Sequence, residues 1–187
     1  QDNADNLERR LTQLSSDFAY NKREFLFNDI VSYLESDEAY LDIVNIQTYN
    51  LDRYFAYVIK KGDSIPELVD LGSIASLDSI YRYYSDYTQK RPSNKVFGYG
   101  DEYYGNICYK NFWSKLEPYL DGVSVTYFSP DGIYSKINPN VLFDSTSSSF
   151  LMDKYDIVYV SNVEDFVHQK ENIKSYERPD DLQAVLV

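Results

Sequence analysis

The sequence predicts an α/β fold: a mixed β-sheet with flanking helices, preceded by a helical lead-in. Three observations carry this. Residues near the start keep helical spacing of apolar side chains, three short aromatic and β-branched segments follow between Glu38 and Gly72, and helix-like and strand-like stretches then alternate to the end. The boundary falls between a lead-in at 1–36 and a sheet-bearing part at 37–187.

In the lead-in, Leu7, Leu11, Leu14 and Phe18 recur at i, i+4, i+7 and i+11, and Phe27, Ile30, Val31 and Leu34 at i, i+3, i+4 and i+7. Each set lays a stripe along one helix face. From Glu38 the pattern changes to EAYLDIVNIQ, RYFAYVIKK and PELVDLG, separated by the turn-like TYNLD and KGDS, which predicts a three-stranded antiparallel meander. In its middle strand Tyr54, Ala56 and Val58 point to one face and Phe55, Tyr57 and Ile59 to the other, so this strand is expected at the sheet centre, covered on both sides.

Ser73 then offers a helix N-cap, and Leu77, Ile80, Tyr81, Tyr84 and Tyr87 form the stripe of the helix that follows. After a polar connection from Gln89 to about Asp101, a second helix is expected from Glu102 to Leu120, with Tyr104, Cys108, Phe112, Leu116 and Leu120 at intervals of four. VSVTYF reads as a strand, SPDG as a turn and IYSKI as a short segment. DSTSSS, from Asp144 to Ser149, is the strongest loop signal. DIVYV reads as a buried strand, Asn162 as the cap of a helix to about Lys170, YERPDD as a connector, and AVLV as the start of another buried strand.

Composition narrows the function. The 187 residues carry 18 Lys and Arg against 30 Asp and Glu, a net charge of -12, with no cationic cluster. Such a field repels phosphate backbones, so direct nucleic-acid binding is not expected. The single cysteine, Cys108, cannot form an intrachain disulfide, no Asn-x-Ser/Thr acceptor occurs, and the start QDNADNLERRL lacks a signal-peptide core. No apolar run approaches the roughly 18 residues of a membrane span. A soluble, cytoplasmic chain is expected, without a membrane partner. The 20 tyrosines beside 10 phenylalanines must line the sheet or serve interfaces, because each pairs a large apolar ring with a hydroxyl that seeks a partner.

Candidate chemistry is sparse. Cys108 and His168 are the only thiol and imidazole, a pairing that can make a nucleophile, but Cys108 falls on an apolar helix stripe and His168 beside the stripe of Val163, Phe166 and Val167, facing solvent. Gly98-Tyr99-Gly100 with Gly105 matches neither the P-loop nor the dinucleotide fingerprint and reads as a loop. The acidic pairs Asp37-Glu38, Asp101-Glu102 and Asp180-Asp181 sit at element boundaries, where they complement helix dipoles or solvate turns. No spacing resembles an EF-hand or a zinc site. Tyr81 and Tyr84 are expected in the core, while Tyr83 and Tyr87 fall toward the edge of the stripe, where a partner could bind. No catalytic, cofactor-binding or metal-binding residue is assigned, and no cofactor.

The order of segments resembles the CHAT family, caspase-like cysteine peptidase domains that often follow tetratricopeptide repeats in bacteria. The resembling residues are DEAYLDIVNI (Asp37 to Ile46), DRYFAYVIKKG (Asp52 to Gly62) and LVDLGSIASLDSIYRYY (Leu68 to Tyr84). The most specific is FWSKLEPYLDGVSVTYFSPDGIYSKINPNVL (Phe112 to Leu142), followed by FLMDKYDIVYVSNVEDF (Phe150 to Phe166). The likeness covers about residues 7 to 187, and departs from the family where Asn138-Pro139 follows Ile137. It implies a caspase-like subdomain preceded by the last helices of a repeat array. In the family, the catalytic His of a His-Gly pair and the later catalytic Cys lie downstream of the strand that AVLV resembles. Here Cys108 precedes His168, the reverse of the family order, so neither inherits a catalytic role. The resemblance therefore implies a non-catalytic regulatory or scaffold portion, inactive alone, whose partners are the catalytic half of the same polypeptide and a protein partner or substrate. A stand-alone protein interaction module is the alternative expectation.

Overall fold

A computed structural model describes residues 24–90 and 99–175. The stripe of Leu7 to Phe18, the polar connection after Lys90, Gly98, the Asp180-Asp181 pair, YERPDD and AVLV lie outside the described residues.

Five strands form one mixed sheet in the order β3 (Glu67–Ser73), β2 (Asp52–Lys60), β1 (Glu38–Gln47), β4 (Val125–Ser129) and β7 (Asp156–Tyr159). β1 (Glu38–Gln47), β2 (Asp52–Lys60) and β3 (Glu67–Ser73) make the antiparallel meander, with Leu41 opposite Val58 and Ala56 opposite Val69. β4 (Val125–Ser129) runs parallel to β1, and β7 (Asp156–Tyr159) parallel to β4. The fold is thus α/β with a mixed sheet. The central place belongs to β1 and not to β2 as expected, because β4 adds to the free side of β1 and extends the sheet there.

Helices cover both faces, as alternation along the strands requires. On one face, Leu41, Ile43, Ala56, Val58 and Phe128 pack against Leu77 of α2 (Ile74–Lys90) and Cys108 and Phe112 of α3 (Tyr99–Phe112). On the other, Tyr40, Ile59 and Tyr127 meet Ile30 of α1 (Phe27–Tyr33), the adjoining Leu34, and Phe166 and Val167 of α4 (Val163–Ser175). The expected caps are present: the Ser73 hydroxyl accepts from the Ser76 amide at 3.3 Å, and Asn162 Oδ1 accepts from the Asp165 amide at 2.9 Å. Asp29, in the first turn of α1, accepts from the Leu26 amide at 2.8 Å.

Three boundaries depart from expectation. α3 begins at Tyr99 and stops at Phe112, where the Ser114 amide bonds the Tyr109 carbonyl at 2.9 Å, and Pro118, with no N–H to donate, keeps the α-helix from running on to Leu120. The chain turns through Trp113 to Leu116 and adds a 3-10 turn at Glu117–Tyr119, which keeps Leu116 and Leu120 buried. DSTSSS is the turn of a small hairpin between β5 (Phe143–Asp144) and β6 (Ser149–Phe150), where the Asp144 carboxylate accepts from the Thr146 amide at 2.8 Å and the Ser147 hydroxyl at 2.7 Å. β7 is not buried throughout, since both its ends are exposed; among the described residues it is the sheet edge.

The Ser-Pro-Asp-Gly turn is pinned to the sheet from two sides. Asp131 accepts from the amides of Gly132 at 2.6 Å and Asn45 at 3.1 Å, and the buried Tyr54 hydroxyl accepts from the Ile133 amide at 2.9 Å. Gly132 has φ +56°, and a Cβ there would fall inside the Tyr54 hydroxyl, so only glycine fits. IYSKI continues as a 3-10 turn over Gly132–Lys136.

Candidate functional site

The strongest test of enzymatic chemistry is Cys108, which is 1% exposed within α3, where burial pushes its thiol up to about 12. At neutral pH it is protonated and shielded, the opposite of a nucleophilic cysteine. His168 lies on α4, across the sheet from Cys108, with its ring 3.0 Å from the Asn172 amide nitrogen. The sheet separates the two side chains, and no dyad forms.

Other candidates resolve into structural roles. Tyr99 and Gly100 open α3 rather than lying in a loop, and Gly105 sits inside that helix. There a Cβ would come within 3.0 Å of Phe143 Cβ and 3.3 Å of the Val141 carbonyl oxygen, so this glycine lets the hairpin seat on the helix. Asp37 accepts from the Ser124 hydroxyl at 2.6 Å, but Glu38 is buried and does not solvate a turn. Its carboxylate takes the Lys170 ammonium, the Tyr127 hydroxyl at 3.2 Å and the Glu35 amide at 2.8 Å, linking β1, β4 and α4. A chain alternation argument misses this because the partner lies 132 positions away. Glu102 falls near the start of α3, where an acidic residue suits the helix dipole, and the Asp101 side chain lies outside the described residues. Tyr81 and Tyr84 pack against the core, and Tyr83 is 63% exposed. The Tyr87 side chain lies outside the described residues.

A cleft at the amino end of β4 and β7 is lined by Tyr109, Glu117, Pro118, Leu120, Lys154 and Tyr155. Lys154 bridges Glu117 at 3.0 Å and the buried Asp144 at 2.8 Å. Burial opposes charge on Asp144, yet the Lys154 ammonium, the Ser147 hydroxyl and the Thr146 amide outweigh it and hold the carboxyl well below the usual range. These groups satisfy one another and tie the hairpin to the 3-10 turn.

The carboxyl edge of the parallel strands differs. After β4 the chain passes onto the face carrying Ile133, Ile137 and Leu151, whereas after β7 it passes to α4 on the opposite face. This is the sheet margin at the carboxyl ends of β1 and β4. Around it stand Tyr40 and Asp42 of β1, Ser129 of β4, Asp131 of the turn and Asp165 at the start of α4. Asp42 pairs in register with Ser129, and Tyr40 points to the same face two residues earlier. Burial, with the Asp131 charge adding to it and Ser129 opposing, raises the Asp42 carboxyl. Asp165 is held below the usual range chiefly by the Ser161 amide, which overcomes its desolvation together with the Ser161 hydroxyl and Gln169. The sequence carried one signal of this place: Asp42 is a charge inside an otherwise apolar strand segment, Ala39 to Val44.

Among the described residues, no group of three or more His, Cys, Asp or Glu is placed to hold a metal ion, and no helix is long and apolar enough to cross a membrane. Comparison of the chain with protein-family models, curated proteins and solved structures returned no match.

Proposed function

We propose that this chain is a non-catalytic regulatory and scaffold portion of a CHAT-type, caspase-like cysteine peptidase, which couples partner binding to a catalytic half of the same polypeptide. The observation that carries the reading is the burial of the lone thiol across the sheet from the lone imidazole, which takes Cys108 out of reach as a nucleophile. It is supported by the mixed sheet, by the resemblance of Phe112 to Leu142, and by the edge position of β7, whose Tyr159 is 44% exposed beside the partly buried Ile157 and Val158. An edge strand, as β7 is among the described residues, is suited to strand addition or to cover by another element.

In this role the meander and α2 hold the sheet, the pinned turn after β4 fixes the carboxyl edge, and β7 offers the surface for the catalytic half. The test is the encoded sequence after Val187. A continuing frame with a His-Gly pair and a later cysteine supports the reading. A stop codon directly after Val187 overturns it and leaves an interaction module binding through its exposed tyrosines.

A further inference from the structure

We propose that Asp121-Gly122 is a site of self-modification, where the backbone isomerises through a cyclic imide to isoaspartate, and that the fold withholds the same reaction from Asp131-Gly132. Aspartate followed by glycine occurs at these two places and nowhere else in the chain. The dipeptide is reactive because glycine has no Cβ to keep its amide nitrogen from the side-chain carboxyl of the residue before it. The nitrogen bonds to Asp Cγ, its proton and a hydroxyl of the carboxylic acid leaving together as water. Water then adds at the main-chain carbonyl of the imide and the C–N bond there breaks, so the chain runs through the former side-chain carboxyl. Water alone balances the reaction, and no oxidant or cofactor takes part.

The two sites differ in what must be broken first. Asp121 and Gly122 are both exposed, on the lip of the cleft beside Lys154 and Tyr155. Gly122 has φ +75°, and nothing stands within 4 Å of where a Cβ on it would lie, so the space over the pair is open. Among the described residues neither the Asp121 carboxylate nor the Gly122 amide makes a hydrogen bond. One bond closes the turn, from the Val123 amide to the Leu120 carbonyl at 3.1 Å. Rotation about the Asp121 Cα–C bond, which brings the nitrogen to Cγ, gives up that single bond.

Asp131-Gly132 is held on every side. Asp131 is extended, with ψ 153°, and its carboxylate accepts from the Gly132 amide at 2.6 Å and the Asn45 amide at 3.1 Å. The Gly132 N–H points at Oδ1, so the electron pair it would expose on ionisation faces that oxygen and not Cγ. The next amide, Ile133, is fixed by the buried Tyr54 hydroxyl at 2.9 Å, and Gly132 lies against the Tyr54 ring. Ring closure here would break these bonds together. At Asp121 the product adds one carbon to the main chain between the buried Leu120 and Ser124, whose amide bonds the Asp37 carbonyl at 2.8 Å at the entry to β4. The inference stands apart from the scaffold reading, since it needs no catalytic half.

The test is native ageing of the chain at neutral pH in water enriched in heavy oxygen, beside a sample unfolded in urea, with isoaspartate located by electron-driven fragmentation of its peptides. In urea the two dipeptides are expected to convert at similar rates, because their local chemistry is the same. In the native chain Asp121 is expected to convert at least about tenfold faster than Asp131, the factor that one further buried hydrogen bond places on local opening. Each conversion should fix one heavy oxygen, and Asp121→Glu, whose longer side chain disfavours the ring, should abolish the product at that position. Equal native rates at the two sites, faster conversion at Asp131, or an Asp121 that converts only in urea would each overturn the proposal.

Discussion

Gly132→Ala is the substitution whose consequence the structure specifies most closely. At φ +56°, an L side chain enters the left-handed region, at a cost of about 1–2 kcal/mol. The new Cβ would also overlap the Tyr54 hydroxyl, with Tyr54 Cε1 and Cζ at 3.0 Å, so the ring must move. Movement takes the acceptor from the buried Ile133 amide, worth about 1–3 kcal/mol when left unpaired. The total is about 2–5 kcal/mol. Tyr54→Phe removes the same acceptor directly and should cost about 1–3 kcal/mol. Because both single variants lose one shared hydrogen bond, the double variant should fall short of the summed losses by about 1–3 kcal/mol. Urea unfolding followed through Trp113, the only tryptophan and a buried one, reads all four proteins. Additive losses, or a Gly132→Ala variant within about 0.5 kcal/mol of the parent, would refute the account of this turn.

Three further predictions follow from the same packing. Lys170→Met should destabilise the chain by about 3–5 kcal/mol, because it leaves Glu38 buried without its cation, and Glu38→Leu added to it should recover much of the loss in equilibrium unfolding. Gly105→Ala should lower the melting temperature, since contact with Phe143 and the Val141 carbonyl outweighs a helix-propensity gain of about 1 kcal/mol; a rise would refute that contact. Asp144 has a folded pKa below its unfolded value near 3.9, so its contribution is complete above that pH and is lost as pH falls toward the folded value. Asp144→Asn should therefore lower stability at pH 7 and flatten the acid side of the stability profile, read by thermal melts across pH 2–7.

Periodicity revealed the sheet and most of its helices because those depend on local alternation. The meander, the cap at Asn162 and the burial of Cys108, Phe112, Leu116 and Leu120 are all legible from neighbours in the chain. What stayed hidden depends on distant pairing. β1 becomes central only because β4 adds beside it after the chain has passed through two helices. Glu38 looked like a solvated boundary acid, and only the fold brings Lys170 to it. Pro118 was visible, but the intervals of four across it suggested one continuous helix where a turn and a 3-10 segment keep the same side chains inward. The grouping of Asp42, Ser129, Asp131 and Asp165 was the least legible part, because these residues come from three separate stretches of the chain.

The central claim, that this chain supports a catalytic half without supplying its nucleophile, is tested most directly by labelling. The polypeptide from the complete reading frame would be treated under native conditions with a cysteine-directed peptidyl chloromethyl ketone, in parental and Cys108→Ser forms, and the labelled residue located by peptide mapping. The account predicts equal labelling of both forms at a cysteine beyond Val187, with Cys108 unmodified until the protein is denatured. Labelling at Cys108 that disappears in Cys108→Ser would contradict it.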